Sequence, residues 1–172
     1  MNTEIYSEYE NFVSSQTPFE LETQPNLITN IVPTDLNYKV ADKDLKNLVE
    51  LFSKVKLKKP TLHLVDENYK VKISKAPDYG RNKGCLYVTY SKFYVGKITP
   101  NGVYIFTRTL DSPNFNEKKI LDFLLTINEN PVDQIEKQGK SIGVCCCCGL
   151  KLTNAESVAR GIGPICLDNW GL

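Results

Sequence analysis

The chain has 172 residues, 41% of them hydrophobic and 24% charged, the balance of an ordinary globular protein. A chain of this length can bury about 70% of its unfolded surface, so its core does not depend on metals or disulfides. No stretch approaches the roughly 20 apolar residues of a membrane span. Glu4, Glu8 and Glu10 precede any Lys or Arg, unlike the basic start of a secretory signal, so we expect a cytoplasmic protein without a membrane partner.

The net charge of +1 is unevenly divided. Residues 1–38 hold six acids and no Lys or Arg, which leaves +7 for residues 39–172. Within that basic part, Lys54, Lys56, Lys58, Lys59, Lys70, Lys72, Lys75, Arg81 and Lys83 face only three acids over residues 54–83. Such a segment is either a polyanion-binding face or an ordinary solvated surface.

Residues 1–35 mix Ser, Thr, Asn, Gln and Pro without a sustained period and read as an irregular tail. Tyr6, Tyr9, Phe12 and Val13 alone have helical spacing, enough for one or two amphipathic turns. Apolar residues from Leu45 to Val55 recur at helical spacing and predict a helix over about residues 42–56, ended by a Lys-rich stretch and Pro60. Five short runs rich in β-branched and aromatic residues follow and read as antiparallel strands: Thr61–Val65, Tyr69–Ser74, Cys85–Tyr90, Phe93–Ile98 and Val103–Arg108. Asp66-Glu67-Asn68 and Pro100-Asn101-Gly102 supply the turns. Tyr87, Tyr104 and Phe106 alternate with aliphatic residues, so they form either an aromatic face for single-stranded bases, with Lys72, Lys97 and Arg108 beside it, or ordinary packing. After Pro113 a second helical pattern runs through Ile120, Leu124 and Ile127. A third helix is expected from Pro131 to about Lys137, released by Gly139.

Five of the six cysteines lie in the last 30 residues: Cys145, Cys146, Cys147, Cys148 and Cys166. Under reducing conditions a Cys-x-x-Cys pair with a distant third Cys points to a metal site rather than to disulfides. Zinc suits thiolates, and Cys145-x-x-Cys148-Gly149 fits a knuckle turn in which two sulfurs point at one ion. Thr153 to Glu156 reads as a capping box for a short helix ending near Arg160, with Gly161 closing it. Pro164 suits the first turn of another helix and sets Cys166 near its N-terminus, where a thiolate is favoured. The fourth ligand stays open among Cys146, Cys147, Asp168 and His63, the only imidazole. An iron-sulfur cluster is disfavoured by spacing, and a catalytic zinc by the lack of a free general base. No phosphate-loop, nucleophile-elbow or metalloprotease motif occurs.

The run Cys145-x-x-Cys148-Gly149, Leu152-Thr153, Ser157, Gly161-x-Gly163-Pro164-x-Cys166 resembles a family of small zinc-finger-like domains of unassigned function, common in phage and mobile-element proteins. A weaker likeness extends upstream through Leu86-Tyr87-Val88 and Tyr94 to Ile98. The resemblance implies Cys145, Cys148 and Cys166 as ligands and Gly161, Gly163 and Pro164 as the shaping turn. Leu150 departs from it, standing where a basic residue is common.

The resulting expectation is an α+β protein: an acidic tail over residues 1–38, a body over 39–138 with a small antiparallel sheet and flanking helices, and a treble-clef-like zinc finger over 139–172. The expected function is non-enzymatic, with bound Zn2+ and association with nucleic acid or nucleic-acid-processing proteins. The contacts would come from Lys54, Lys56, Lys58, Lys59, Lys70, Lys72, Arg81 and Lys83. The alternative is a protein-interaction or inhibitor protein whose acidic tail mimics nucleic-acid charge and whose zinc is purely structural. A metal-dependent hydrolase is a third class, disfavoured for want of a base.

Overall fold

A six-stranded antiparallel sheet with helices against one face accounts for the middle and C-terminal parts of the chain. The computed structural model describes residues 40–67, 69–107 and 116–172. The acidic segment 1–38, with Tyr6, Tyr9, Phe12 and Val13, lies outside the described residues, as does Arg108. Everything described belongs to one compact unit, Asp35–Leu172.

The elements in chain order are β1 (Val40–Asp44), α1 (Lys46–Lys54), β2 (Thr61–Asp66), β3 (Tyr69–Lys75), β4 (Leu86–Tyr90), β5 (Phe93–Ile98) and β6 (Val103–Phe106). Helices α2 (Glu117–Glu129), α3 (Pro131–Ile142), α4 (Ala155–Arg160) and α5 (Pro164–Trp170) complete the unit. The sheet order is β1-β6-β5-β4-β3-β2, a meander from β2 to β6 with β1 added beside β6. The α+β reading and the five expected strands are therefore present. The sixth strand corrects the expected helix start, because residues 42–44 belong to a strand that pairs with β6 through Val40, Ala41 and Asp44, with an irregularity between Ala41 and Asp44, instead of opening the helix. Their polar sequence, Asp42-Lys43-Asp44, hides an edge strand that exists only because β6 is there to bond it.

Strand alternation sorts the side chains. Leu62, Leu64, Val71, Ile73, Leu86, Val88, Ile98, Tyr104 and Phe106 point inward, with Leu48, Leu51 and Phe52 of α1, Ile120, Leu124 and Ile127 of α2 and Ile135 of α3 above them. Burying each such side chain contributes about 1.5–3 kcal/mol. Tyr104 and Phe106 thus belong to the core, edge to face at 4.6 Å, and not to an exposed aromatic face. Cys85 is buried just ahead of β4, and burial pushes its thiol pKa up.

Helix α3 runs past its expected end. Gly139 sits inside it, buried, and the helix stops at Gly143 in the left-handed conformation, φ 67°. Asn130 opens the helix by accepting from the Asp133 N–H, and Pro131 takes its first turn as expected. Gly139 is glycine because α4 ends against it: a Cβ there would lie 1.9 Å from the Gly161 carbonyl oxygen. The expected boundary between body and finger falls within this continuous helix.

Candidate metal centre

The cysteine run begins where α3 ends. Val144 bridges to Lys151, and the residues between them form the knuckle: Gly149 N–H donates to the Cys145 carbonyl at 2.8 Å and Cys145 N–H to the Leu150 carbonyl at 2.9 Å. Gly149 takes φ 74°, the left-handed turn that lets the chain reverse after the second ligand. Asn154, rather than Thr153, caps α4; its side chain accepts from the Glu156 and Ser157 N–H groups at 2.8 and 3.4 Å. Gly161 closes that helix at φ 84°. Pro164 opens α5, and Cys166 sits in its first turn.

These elements bring the Sγ atoms of Cys145, Cys148 and Cys166 within 4.8 Å of one another. A tetrahedral ion with bonds of about 2.3 Å holds sulfurs about 3.8 Å apart, so small side-chain adjustments suffice to close the three on one ion. The cluster is geometrically compatible with metal coordination and makes the C-terminal module zinc-finger-like. Cys145 is buried, Cys166 half-buried and Cys148 exposed, so the site lies at the border of the core. It opens into a cavity of about 200 Å³ lined by Leu150, Thr153, Asn154, Ser157 and Ile165 among others.

Charge is graded across the run. A hydrogen bond from the Cys147 thiol, with backbone N–H groups of Gly163, Cys147 and Cys148, holds the Cys145 thiol down to about 4. These hydrogen bonds favour the thiolate form of Cys145. Its partner Cys147 is pushed far up by donating to that sulfur and by burial, and burial beside Cys145 raises Cys146 to about 12. Burial and the neighbouring cysteine sulfurs likewise raise Cys166.

None of the four candidate fourth ligands joins the group of three. Cys146 is fully buried and turned into the core, and its carbonyl accepts the His63 N–H at 2.7 Å. Cys147 reaches the Cys145 sulfur but does not complete the cluster. Asp168 pairs with Lys56 at 2.7 Å. His63 stands on β2 with its ring beside Gly149, and burial together with Lys72 lowers its pKa.

The expected nucleic-acid contacts separate into groups. Lys54 is paired with Glu50 and Lys56 with Asp168, both at 2.7 Å. Lys58 and Lys59 are exposed on the connection from α1 to β2, Lys70 and Lys72 on β3, and Arg81 and Lys83 on the loop before β4. Lys75, also counted in the basic stretch, pairs with Asp78 at 3.0 Å.

Sequence reasoning did not foresee how the finger meets the sheet. The edge strand β2 donates His63 N–H to the knuckle and Val65 N–H to the Gln138 side chain at 2.8 Å, so the knuckle and α3 cover a row that would otherwise be open to pairing. Trp170 of α5 is fully buried, edge to face with Phe52 of α1 at 5.2 Å. Only the single Trp near the C-terminus hinted at such an anchor. No helix among the described residues is long and apolar enough to cross a membrane.

No curated protein and no solved structure matches the chain. Residues 136–171, from the middle of α3 through α5, are similar to a family described as a family of unknown function, DUF6011.

Proposed function

We propose that the chain is a non-enzymatic zinc-binding module of phage or mobile-element type, acting in the host cytoplasm, that associates with nucleic acid or a nucleic-acid-processing complex. The observation that carries the metal part is the convergence of three cysteine sulfurs within 4.8 Å. An all-thiolate set favours zinc over harder cations. Bound there, the ion would tie the knuckle to α5, and Gly163 and Cys148 N–H groups would stabilise the charge on Cys145 by hydrogen bonding. The role is structural. Asp168, two residues after Cys166, is paired with Lys56 at 2.7 Å, and Glu156 is exposed on α4 and turned toward Arg160 at 3.8 Å, so neither is placed to serve as a base for a metal-bound water. Unpaired lysines on the body and its +7 charge support a polyanion partner.

Elemental analysis of the purified chain should give one zinc, and Cys166→Ser should lose it. Salt-titrated binding to single- and double-stranded DNA and RNA tests the partner: affinity that falls steeply with salt supports nucleic acid. Zinc without any such binding leaves a structural staple and overturns the nucleic-acid part; no metal overturns the whole reading. The acidic stretch over residues 1–38 favours a second reading, a protein-binding inhibitor that mimics nucleic acid. Deleting that stretch should then abolish competition with polyanions, whereas on the first reading it leaves nucleic-acid affinity intact or raises it.

A further inference from the structure

The face of the sheet opposite the core carries no helix among the described residues. Register sets its side chains in rows across the strands. One row runs Tyr94, Thr89, Lys72, His63 from β5 to β2 and ends against Gly149 of the knuckle. The next runs Lys97, Tyr87, Ser74, Thr61. Tyr87 and Tyr94 meet edge to face at 5.8 Å, and Tyr94 is 45% exposed. Asn82, from the loop before β4, folds over this end, donating to the Tyr87 hydroxyl at 3.1 Å and accepting from Lys97 at 2.7 Å.

The charge on this face is of one sign. Outward positions of β2 to β5 include Lys70, Lys72 and Lys97 and no carboxylate. The acids of the β2–β3 hairpin are engaged on the other side, Asp66 with the Tyr90 hydroxyl at 3.1 Å and Glu67 with Lys119 at 2.6 Å. Lys97 is held by an amide, which positions its charge without neutralising it.

We propose that this face binds single-stranded nucleic acid, with bases stacked on Tyr94 and Tyr87, phosphates held by Lys70, Lys72 and Lys97, and the strand crossing toward His63 and the knuckle. The inference rests on the nucleic-acid reading above and assigns it a surface. Four strands about 4.8 Å apart make a platform about 14 Å wide, and sheets of that strand number stack two or three unpaired bases. Flat phenol rings among lysines suit bases that are free to unstack, whereas a duplex keeps its bases away from such a face. The lysines supply the sequence-independent, salt-sensitive part of the affinity.

The test uses the full-length, metal-loaded chain and fluorescent oligothymidylate of about 12 nucleotides, with a duplex of equal length as the comparison. The single strand should bind at least about tenfold more tightly than the duplex. Tyr94→Ala should weaken it about tenfold and Tyr94→Phe restore it, because stacking needs the ring and not the hydroxyl. Lys72→Gln should reduce the slope of log affinity against log salt by about 0.7, one phosphate contact on a single strand. Lys118→Gln on α2, away from this face, should leave the slope unchanged. Metal content and Trp170 emission confirm that each variant is folded. Single-strand binding that ignores Tyr94→Ala and Lys72→Gln overturns this surface while the nucleic-acid reading stands. Equal or tighter duplex binding overturns stacking in the same way. Absence of binding to either probe at about 50 mM salt overturns both, with zinc content deciding separately whether the metal site survives.

Discussion

Tyr104 fills an inward position of β6, but its hydroxyl is buried without a hydrogen-bond partner, and burial pushes its pKa far above the usual phenol range. A buried unpaired hydroxyl costs about 1–3 kcal/mol. Tyr104→Phe keeps the ring and its contact with Phe106, so urea unfolding should show a gain of about 1 kcal/mol. A loss instead would mean that the hydroxyl is satisfied in solution. The same scale explains the cysteine run. Its spacing makes Cys145 and Cys148 legible as a pair, because residues three apart in a knuckle point to one side. The direction of Cys146 and Cys147 is not legible, since it depends on the β2 edge that takes the Cys146 carbonyl and on the sulfur that takes the Cys147 thiol hydrogen.

At the scale of elements, glycine was the residue most easily misread. Local rules make Gly139 a helix breaker, yet it is a point where two backbones meet. Gly139→Ala would gain about 1 kcal/mol of helix propensity. It also drives a Cβ into the Gly161 carbonyl, an overpacking of about 1–3 kcal/mol, so thermal unfolding should show net destabilisation. Gly163→Ala is the control. Its Cβ would meet nothing within 4 Å at an ordinary φ of −77°, so it should be near neutral. The helices α1, α2, α4 and α5 and the strands β2 to β6 were readable because period, turn residues and caps agree locally. Strand β1 was not, because a polar edge strand has no periodic signature of its own.

For the whole molecule, the cysteine cluster joins the sheet edge to the core. Cys145, Cys146 and Cys147 are buried in the same hydrophobic cluster as Phe52, Leu62 and Trp170, and the Lys56 N–H donates to the Asn169 carbonyl at 2.9 Å. Stripping metal with a chelator should therefore loosen α5, uncover the only Trp and free the β2 edge. Trp170 emission should shift to longer wavelength, and His63 and Val65 amides should exchange faster. Unchanged emission at zero metal would show that the core holds α5 without the ion. Metal affinity should also fall with acidification. Cys166, whose pKa is raised, must lose its proton to become a ligand, so each pH unit below that pKa costs about tenfold per proton displaced. Calorimetry in buffers of different ionisation enthalpy measures the protons released. If Cys145, whose thiolate is favoured by its hydrogen bonds, were the only ligand, little or no proton release would be seen.

The amino-acid sequence by itself determined the class of the fold, the extent of most elements and the identity of the three cysteines, all properties written in spacing over a few turns of chain. Helical and strand periods, capping residues and a Cys-x-x-Cys turn act locally, so they survive without knowledge of what lies opposite. Tertiary structure alone decided which side of the sheet each aromatic ring faces, that Gly139 is a contact and not a break, and that Lys56 and Asp168 neutralise each other. It also decided that the knuckle covers the β2 edge. Those features depend on partners 22 to 112 positions away, and a pairing at that distance is set by packing of the whole core, for which no short window of sequence carries a signal.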